Sequence, residues 1–120
     1  MDFKEVKTRL DGYVAYCNLM LGTNLLFKRN KKFNQFEIIK KTKKYDIGKI
    51  IMTIETGYIR SKLTIRCYNI NEYYGELIEL YPELVIKFNE AVFIIYNDKE
   101  LFKLLQNLES VGFFGNVRIL

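Results

Sequence analysis

The fold is decided by residues 28–66, KRNKKFNQFEIIKKTKKYDIGKIIMTIETGYIRSKLTIR, where basic charge and a strand pattern coincide. At the end of this stretch the apolar residues Ile59, Leu63, Ile65 and Cys67 alternate with Arg60, Lys62, Thr64, Arg66 and Tyr68. Such alternation is typical of a strand with one face in the core and the other in water. It predicts a long strand from Ile59 to Tyr68 that points its cationic side chains outward.

Three shorter strand patterns precede this strand, at Leu25–Lys28, Phe36–Lys41 and Ile50–Ile54. Turn residues separate them, including Asp46 and Gly48. Because the connections are short, the four strands are expected to form an antiparallel meander. The lysines would then gather at strand ends and turns on one rim of the sheet.

Helices are predicted before, between and after the strands. Residues 2–20 show an apolar face at three- and four-residue spacing, and Gly22 is placed to end that helix. Asn69 with Glu72 resembles a capping box for a second helix that Pro82 limits, and Asn97 with Glu100 begins a third that ends near Gly112.

The remaining apolar segments complete the expected sheet. Leu84–Phe88 and Ala91–Tyr96 indicate two strands about a turn at Asn89–Glu90, or a single bent strand, and Phe113–Leu120 indicates a last strand. The fold class is therefore α+β, as one domain over residues 1–120. A mostly antiparallel sheet, consisting of the meander and C-terminal strands, is combined with about three helices in the order α-β-β-β-β-α-β-β-α-β.

Charge is sorted along the chain. Residues 1–66 carry fifteen basic and six acidic side chains, whereas residues 67–120 carry four basic and eight acidic ones. The residue usage, with Lys far above Arg, fits an AT-rich genome and explains part of the lysine content, but codon bias does not explain the sorting. A basic surface attracts nucleic acid or an acidic partner.

The sequence offers little for catalysis. It has no His, no phosphate-binding glycine loop and only two distant cysteines, so no enzyme, cofactor or metal site is expected. A cryptic metal-dependent nuclease is the remote alternative, and it would depend on Asp46 or Glu55. Cys17 and Cys67, both in apolar surroundings, are expected to be reduced thiols of a cytoplasmic protein, with no membrane segment.

Nucleic-acid binding by the basic meander is the leading hypothesis, with a nucleoprotein complex as the wider partner class. Lysine and arginine neutralise phosphates, and aromatic rings stack on bases. The candidate binding residues are Lys40, Lys41, Lys43, Lys44, Tyr45, Arg60, Lys62, Arg66 and Tyr68. The same lysines also fit a solvated sheet edge that deters aggregation, so this alternative stays open.

The predicted second helix carries a secondary acidic face of opposite sign. Its members are Glu72, Glu76, Glu79 and Glu83. In its small size, AT-rich residue usage and lack of a catalytic signature, the chain resembles accessory proteins of phages and plasmids. That resemblance implies protein–protein binding as an alternative function, such as inhibition of host machinery in the manner of an anti-CRISPR protein, in the host cytoplasm.

Overall fold

Nine regular elements follow one another in a computed structural model that describes residues 3–41, 48–56 and 62–115. They are α1 (Phe3–Met20), β1 (Leu25–Asn30), β2 (Gln35–Lys41), β3 (Gly48–Thr56), β4 (Leu63–Tyr68), α2 (Tyr74–Leu80), β5 (Ile86–Lys87), β6 (Glu90–Ile95) and α3 (Asp98–Ser110). A short 3-10 turn, Asn71–Tyr73, leads into α2.

The six strands form one antiparallel sheet in the order β1-β2-β3-β4-β6-β5. The predicted four-strand meander is confirmed, since β1 to β4 lie side by side in chain order. In β4 the alternation behaves as predicted: Leu63, Ile65 and Cys67 are buried, while Thr64, Arg66 and Tyr68 are half-buried on the opposite face. The part of the predicted strand before Lys62 lies outside the described residues.

The helices contribute to one hydrophobic core against the inner face of the sheet. Across the central strands Met52 lies opposite Cys67 and Ile54 opposite Ile65, all without solvent exposure. The leucines of α3 and the apolar side of α1 join the same buried cluster. These contacts establish a compact single α+β domain, as the sequence predicts.

Both cysteines are free and buried. Burial raises the pKa of the Cys17 thiol to about 11 and raises the pKa of the Cys67 thiol as well, because the thiolate would lose its hydration. The two thiols are therefore protonated, unreactive core side chains at neutral pH. No helix among the described residues is long and apolar enough to cross a lipid bilayer.

One of the two predicted capping boxes is wrong. Asn69 adopts a left-handed conformation with φ 56°, and no side chain caps the 3-10 turn or α2. Its side chain instead accepts a hydrogen bond from Asn89 Nδ2 at 3.3 Å. The second box is confirmed at α3: Asn97 Oδ1 accepts from the Glu100 backbone N–H at 2.8 Å, although Glu100 reaches back to the N–H of Tyr96.

The β5–β6 hairpin turns one residue earlier than predicted, at Phe88–Asn89 and not at Asn89–Glu90. Lys87 pairs with Glu90, so the loop has two residues, and both have positive φ, 54° and 61°. This is the type I′ geometry that suits the twist of a hairpin. Asn89 tolerates it and uses its Oδ1 to accept from the Asn71 N–H at 2.7 Å.

Phe88 is an unusual residue for this turn, because its side chain is 98% exposed and its backbone is left-handed. We expect Phe88→Gly to raise the free energy of unfolding by about 0.5–1 kcal/mol, since glycine removes the strain but adds freedom to the unfolded chain. Phe88→Ala keeps the strain and serves as the matched control. Urea denaturation of both variants checks this, and a Gly variant less stable than the Ala variant would contradict it.

The predicted last strand does not begin at Phe113. Gly112 has φ 86°, and the N–H groups of Gly112 and Phe113 donate to the carbonyls of Glu109 and Leu108, both at 3.0 Å. These bonds close the end of α3 and leave residues 111–114 in turns. Phe113 and Phe114 are buried, with their ring centroids 5.3 Å apart. Residues 116–120 of that predicted strand lie outside the described residues.

Candidate nucleic-acid interface

The strands lie in nearly the same order in the sheet as in the chain. Strands from the basic half of the sequence are therefore neighbours in the sheet. The strands of the basic half, β1 to β3, lie at one edge, and β5 lies at the other. The hydrogen bond from Asn71 to Asn89 holds the start of the α2 segment at the β5 edge. The four glutamates predicted as an acidic face lie along this segment, and all are exposed: Glu72, Glu76, Glu79 and Glu83.

Three lysines meet where β2 ends and β3 begins. Lys40 lies directly opposite Lys49, and Lys41 lies opposite Gly48. Lys49 is exposed, while Lys40 and Lys41 are half-buried. We call Lys40, Lys41 and Lys49 the lysine edge.

Backbone contacts fix the geometry of the lysine edge. The N–H of Lys41 donates to the carbonyl of Asn24 at 2.9 Å, which anchors the end of β2. Gly48 allows the close approach of β3, because any Cβ there would collide with the Ile39 side chain. The ammonium group of Lys40 lies against Gly115, where an added Cβ would be 2.7 Å from the Lys40 Nζ.

The cross-strand pair of Lys40 and Lys49 is electrostatically unfavourable by itself. Like charges directly opposite each other destabilise a sheet. None of the ion pairs among residues 3–41, 48–56 and 62–115 involves Lys40 or Lys49. A bound anion at this edge would offset the repulsion.

Two predicted site residues on β4 make contacts inside the protein instead. Arg66 Nη1 lies 3.3 Å from Glu90 Oε1, and its Nε lies 3.7 Å from Glu55 Oε1. The hydroxyl of Tyr68 lies 3.2 Å from Thr53 Oγ1. With two carboxylates around one guanidinium, the centre of this sheet face is not basic.

The next strands of the same face are neutralised in a similar way. Glu37 is buried and accepts from the Asn30 and Gln35 side-chain amides at 3.1 and 3.2 Å. Its other oxygen lies 3.9 Å from Lys28 Nζ. The described part of this face therefore offers a hydrogen-bonded polar surface and not a run of exposed cations.

Lys62 is exposed but lies far from the lysine edge. It immediately precedes Leu63, which pairs with Thr56 at the opposite end of β3 from Lys49. Seven residues of strand correspond to about 23 Å. The structure thus separates Lys62 from Lys40 and Lys41, which the sequence analysis placed in one site.

A second basic group, the hairpin cluster, lies at the same end of the sheet as Lys62. It consists of the exposed residues Arg29, Lys31 and Lys32, at the end of β1 and in the turn to β2. The ammonium group of Lys32 is 5.5 Å from the centre of the Phe33 ring, which is itself 62% exposed. Proteins that bind single-stranded nucleic acid stack its bases on exposed aromatic rings that lie beside cationic side chains.

The other predicted residues of the site, Lys43, Lys44, Tyr45 and Arg60, lie outside the described residues, as does Asp46. Lys49 was absent from the predicted site, although it belongs to the basic run of the sequence. The sequence alone did not identify Lys49, because only the register between β2 and β3 shows that it lies opposite Lys40.

Within the described residues, no three Cys, Asp or Glu side chains come together as a metal site. Glu55, the other residue of the nuclease alternative, is engaged with Arg66. Comparison of the chain with protein-family models, curated proteins and solved structures gives no match.

Proposed function

We propose that this protein is a non-enzymatic binder of nucleic acid, acting alone or within a nucleoprotein complex, and that the lysine edge is its main phosphate contact. The observation that carries the proposal is the direct opposition of Lys40 and Lys49, with Lys41 beside them. Because successive residues of a strand point to opposite faces, Lys40 and Lys49 share one face of the sheet and Lys41 projects from the other. Their ammonium groups at this sheet end can neutralise phosphates on both sides of the edge and release the counterions.

The hairpin cluster supplies a second contact in this proposal. Lys40 and Gln35, where β2 leaves the turn, are five residues apart, so the two groups are separated by about 17 Å of strand. This corresponds to about five nucleotide steps of about 3.4 Å along one strand of a duplex. Lys32 and Phe33 would add charge and stacking at that end. A ligand that reaches both groups must therefore be longer than a few nucleotides.

The proposal is tested by fluorescence anisotropy with labelled DNA and RNA over a range of salt concentrations. For oligonucleotides of about 4 nucleotides we expect log K to fall with log salt at a slope of about −2 to −3, as two or three phosphate contacts at the lysine edge require. Oligonucleotides of about 12 nucleotides, which reach the hairpin cluster as well, should bind more tightly and with a steeper slope. Absence of binding to every DNA and RNA at low salt would overturn it.

A protein partner with a basic surface is the second candidate, in keeping with an inhibitor of host machinery. It is favoured by the exposed glutamates Glu72, Glu76, Glu79 and Glu83, of which Glu83 lines a surface groove together with the exposed apolar side chains Val85 and Phe88. Exposed apolar side chains beside charged ones are typical of protein interfaces. A partner retained in a pull-down after nuclease treatment would favour this function over nucleic-acid binding.

A further inference from the structure

A groove of about 500 Å³ lies between α1 and α3. Its floor includes Leu101 and Leu105, which are buried, and its walls include Tyr16 and Phe102, which are 41% and 57% exposed. A concave apolar surface with a few polar groups is the usual form of a small-molecule site.

One end of the groove holds an ion pair in which one carboxylate oxygen has no hydrogen-bond partner among the described residues. Arg9 Nη2 lies 3.2 Å from Asp98 Oδ2. Asp98 Oδ1 is buried and has no hydrogen-bond partner in the described part of the chain. A buried acceptor without a donor is costly, so a ligand that donates a hydrogen bond there would be stabilised.

The other end holds a carboxylate among tyrosines. The hydroxyl of Tyr13 donates to Glu109 Oε1 at 2.8 Å, and the hydroxyl of Tyr16 lies 3.4 Å from Glu109 Oε2. The charge of Glu109 raises the pKa of Tyr16, and burial raises that of Tyr13, so both hydroxyls stay protonated and neutral. The two rings lie 5.7 Å apart and line the groove.

The charges of the groove do not balance. Arg9 is paired with Asp98, whereas Glu109 contacts two neutral hydroxyls and takes part in no ion pair within the described residues. A carboxylate and aromatic faces both attract a cation, and the leucine floor favours an apolar body. Asp98 and Glu109 are eleven helical steps apart, so the groove is about 16 Å long along α3.

We infer that this groove binds a linear organic amine. Its ammonium group lies at Glu109 beside the Tyr13 and Tyr16 rings, and its alkyl chain lies over Leu105 and Leu101 and ends short of Asp98. Phe102 covers the chain from the open side. None of the lysine-edge residues lines this site, which does not depend on the proposed function.

Titration with hexylammonium, hexanol and hexanoate, followed by backbone amide NMR, tests the inference. The three probes share an apolar chain and differ in charge. We expect hexylammonium to bind at least tenfold more tightly than hexanol, with hexanoate weakest, and to shift the amide signals of residues 13–16 and 101–109. Equal binding of the three probes, shifts elsewhere, or no binding of hexylammonium at millimolar concentration would overturn the inference.

Two variants locate the site within the groove. Glu109→Gln keeps an acceptor for Tyr13 and should weaken hexylammonium binding about tenfold, the loss of one charge-assisted contact. Phe102→Ala removes an exposed wall and should weaken binding severalfold without unfolding the protein. The matched control is Glu76→Gln on α2, which should bind like the wild type. Unchanged affinity in both groove variants would also overturn the inference.

Discussion

Reversing two charges at the lysine edge, in the variant Lys40→Glu/Lys49→Glu, is expected to lower the affinity for DNA and RNA about 100-fold at about 50 mM salt. Two phosphate contacts are lost, and each contributes about one power of ten at that salt concentration. Repulsion between the new carboxylates and the phosphates adds to the loss. Fluorescence anisotropy with the oligonucleotides that bind the wild type measures the change.

The control for this variant is Lys99→Glu/Lys103→Glu on α3, which changes net charge by the same amount at exposed positions. It should keep most of the wild-type affinity, because only position distinguishes the two variants. A loss as large in the control would mean that net charge, and not the lysine edge, drives binding. Lys49→Glu alone should be at least as stable as the wild type, since it places a carboxylate opposite Lys40.

The largest effect on stability is expected for Ile65→Ala. Ile65 has no solvent exposure and lies between Ile54 on β3 and Phe93 on β6. Removing its side chain loses buried apolar surface and leaves a cavity in the centre of the sheet, at a cost of about 2–5 kcal/mol in the free energy of unfolding. Urea denaturation with a common slope for variant and wild type measures this change.

The neighbouring residue supplies the control for this second variant. Thr64 is half-buried and faces the other side of the same strand, opposite Glu55 and Ile94. Thr64→Ala should therefore cost about 1 kcal/mol or less. If the two variants were equally stable, the core would not be organised around β4 as described.

The meander was predictable because its strongest signals are local. Alternation over Leu63–Tyr68 identifies the inner face by itself, and short connections leave antiparallel pairing as the simple solution. The register between β2 and β3 was not predictable, because it shifts by one residue between Ile38 and Ile39. The sequence marks that irregularity only as two consecutive isoleucines.

Other predictions failed where tertiary contacts override a local motif. Asn69 has the right spacing from Glu72 for a capping box, but its side chain contacts Asn89 in the turn between β5 and β6. Phe113 and Phe114 have the composition of a strand, yet the hydrogen bonds that end α3 take the N–H of Phe113. Neither competing contact can be read from nearby residues.

The sequence predicted that basic residues would lie together, and the structure shows which of the described ones do. The basic half of the sequence does form one edge of the sheet, because the meander keeps chain order. Arg66, by contrast, meets Glu55 and Glu90 only through the pairing of three strands. Lys49 likewise comes to lie opposite Lys40 only through the pairing of β2 with β3.

The location of the bound nucleic acid tests the account most directly. Backbone amide NMR spectra would be recorded during titration with an oligonucleotide of about 12 nucleotides, long enough to reach both basic groups. We predict the largest shifts at Lys40, Lys41, Gly48 and Lys49, with smaller ones at the hairpin cluster. Shifts centred on the glutamates of α2, or a spectrum that does not change, would contradict it.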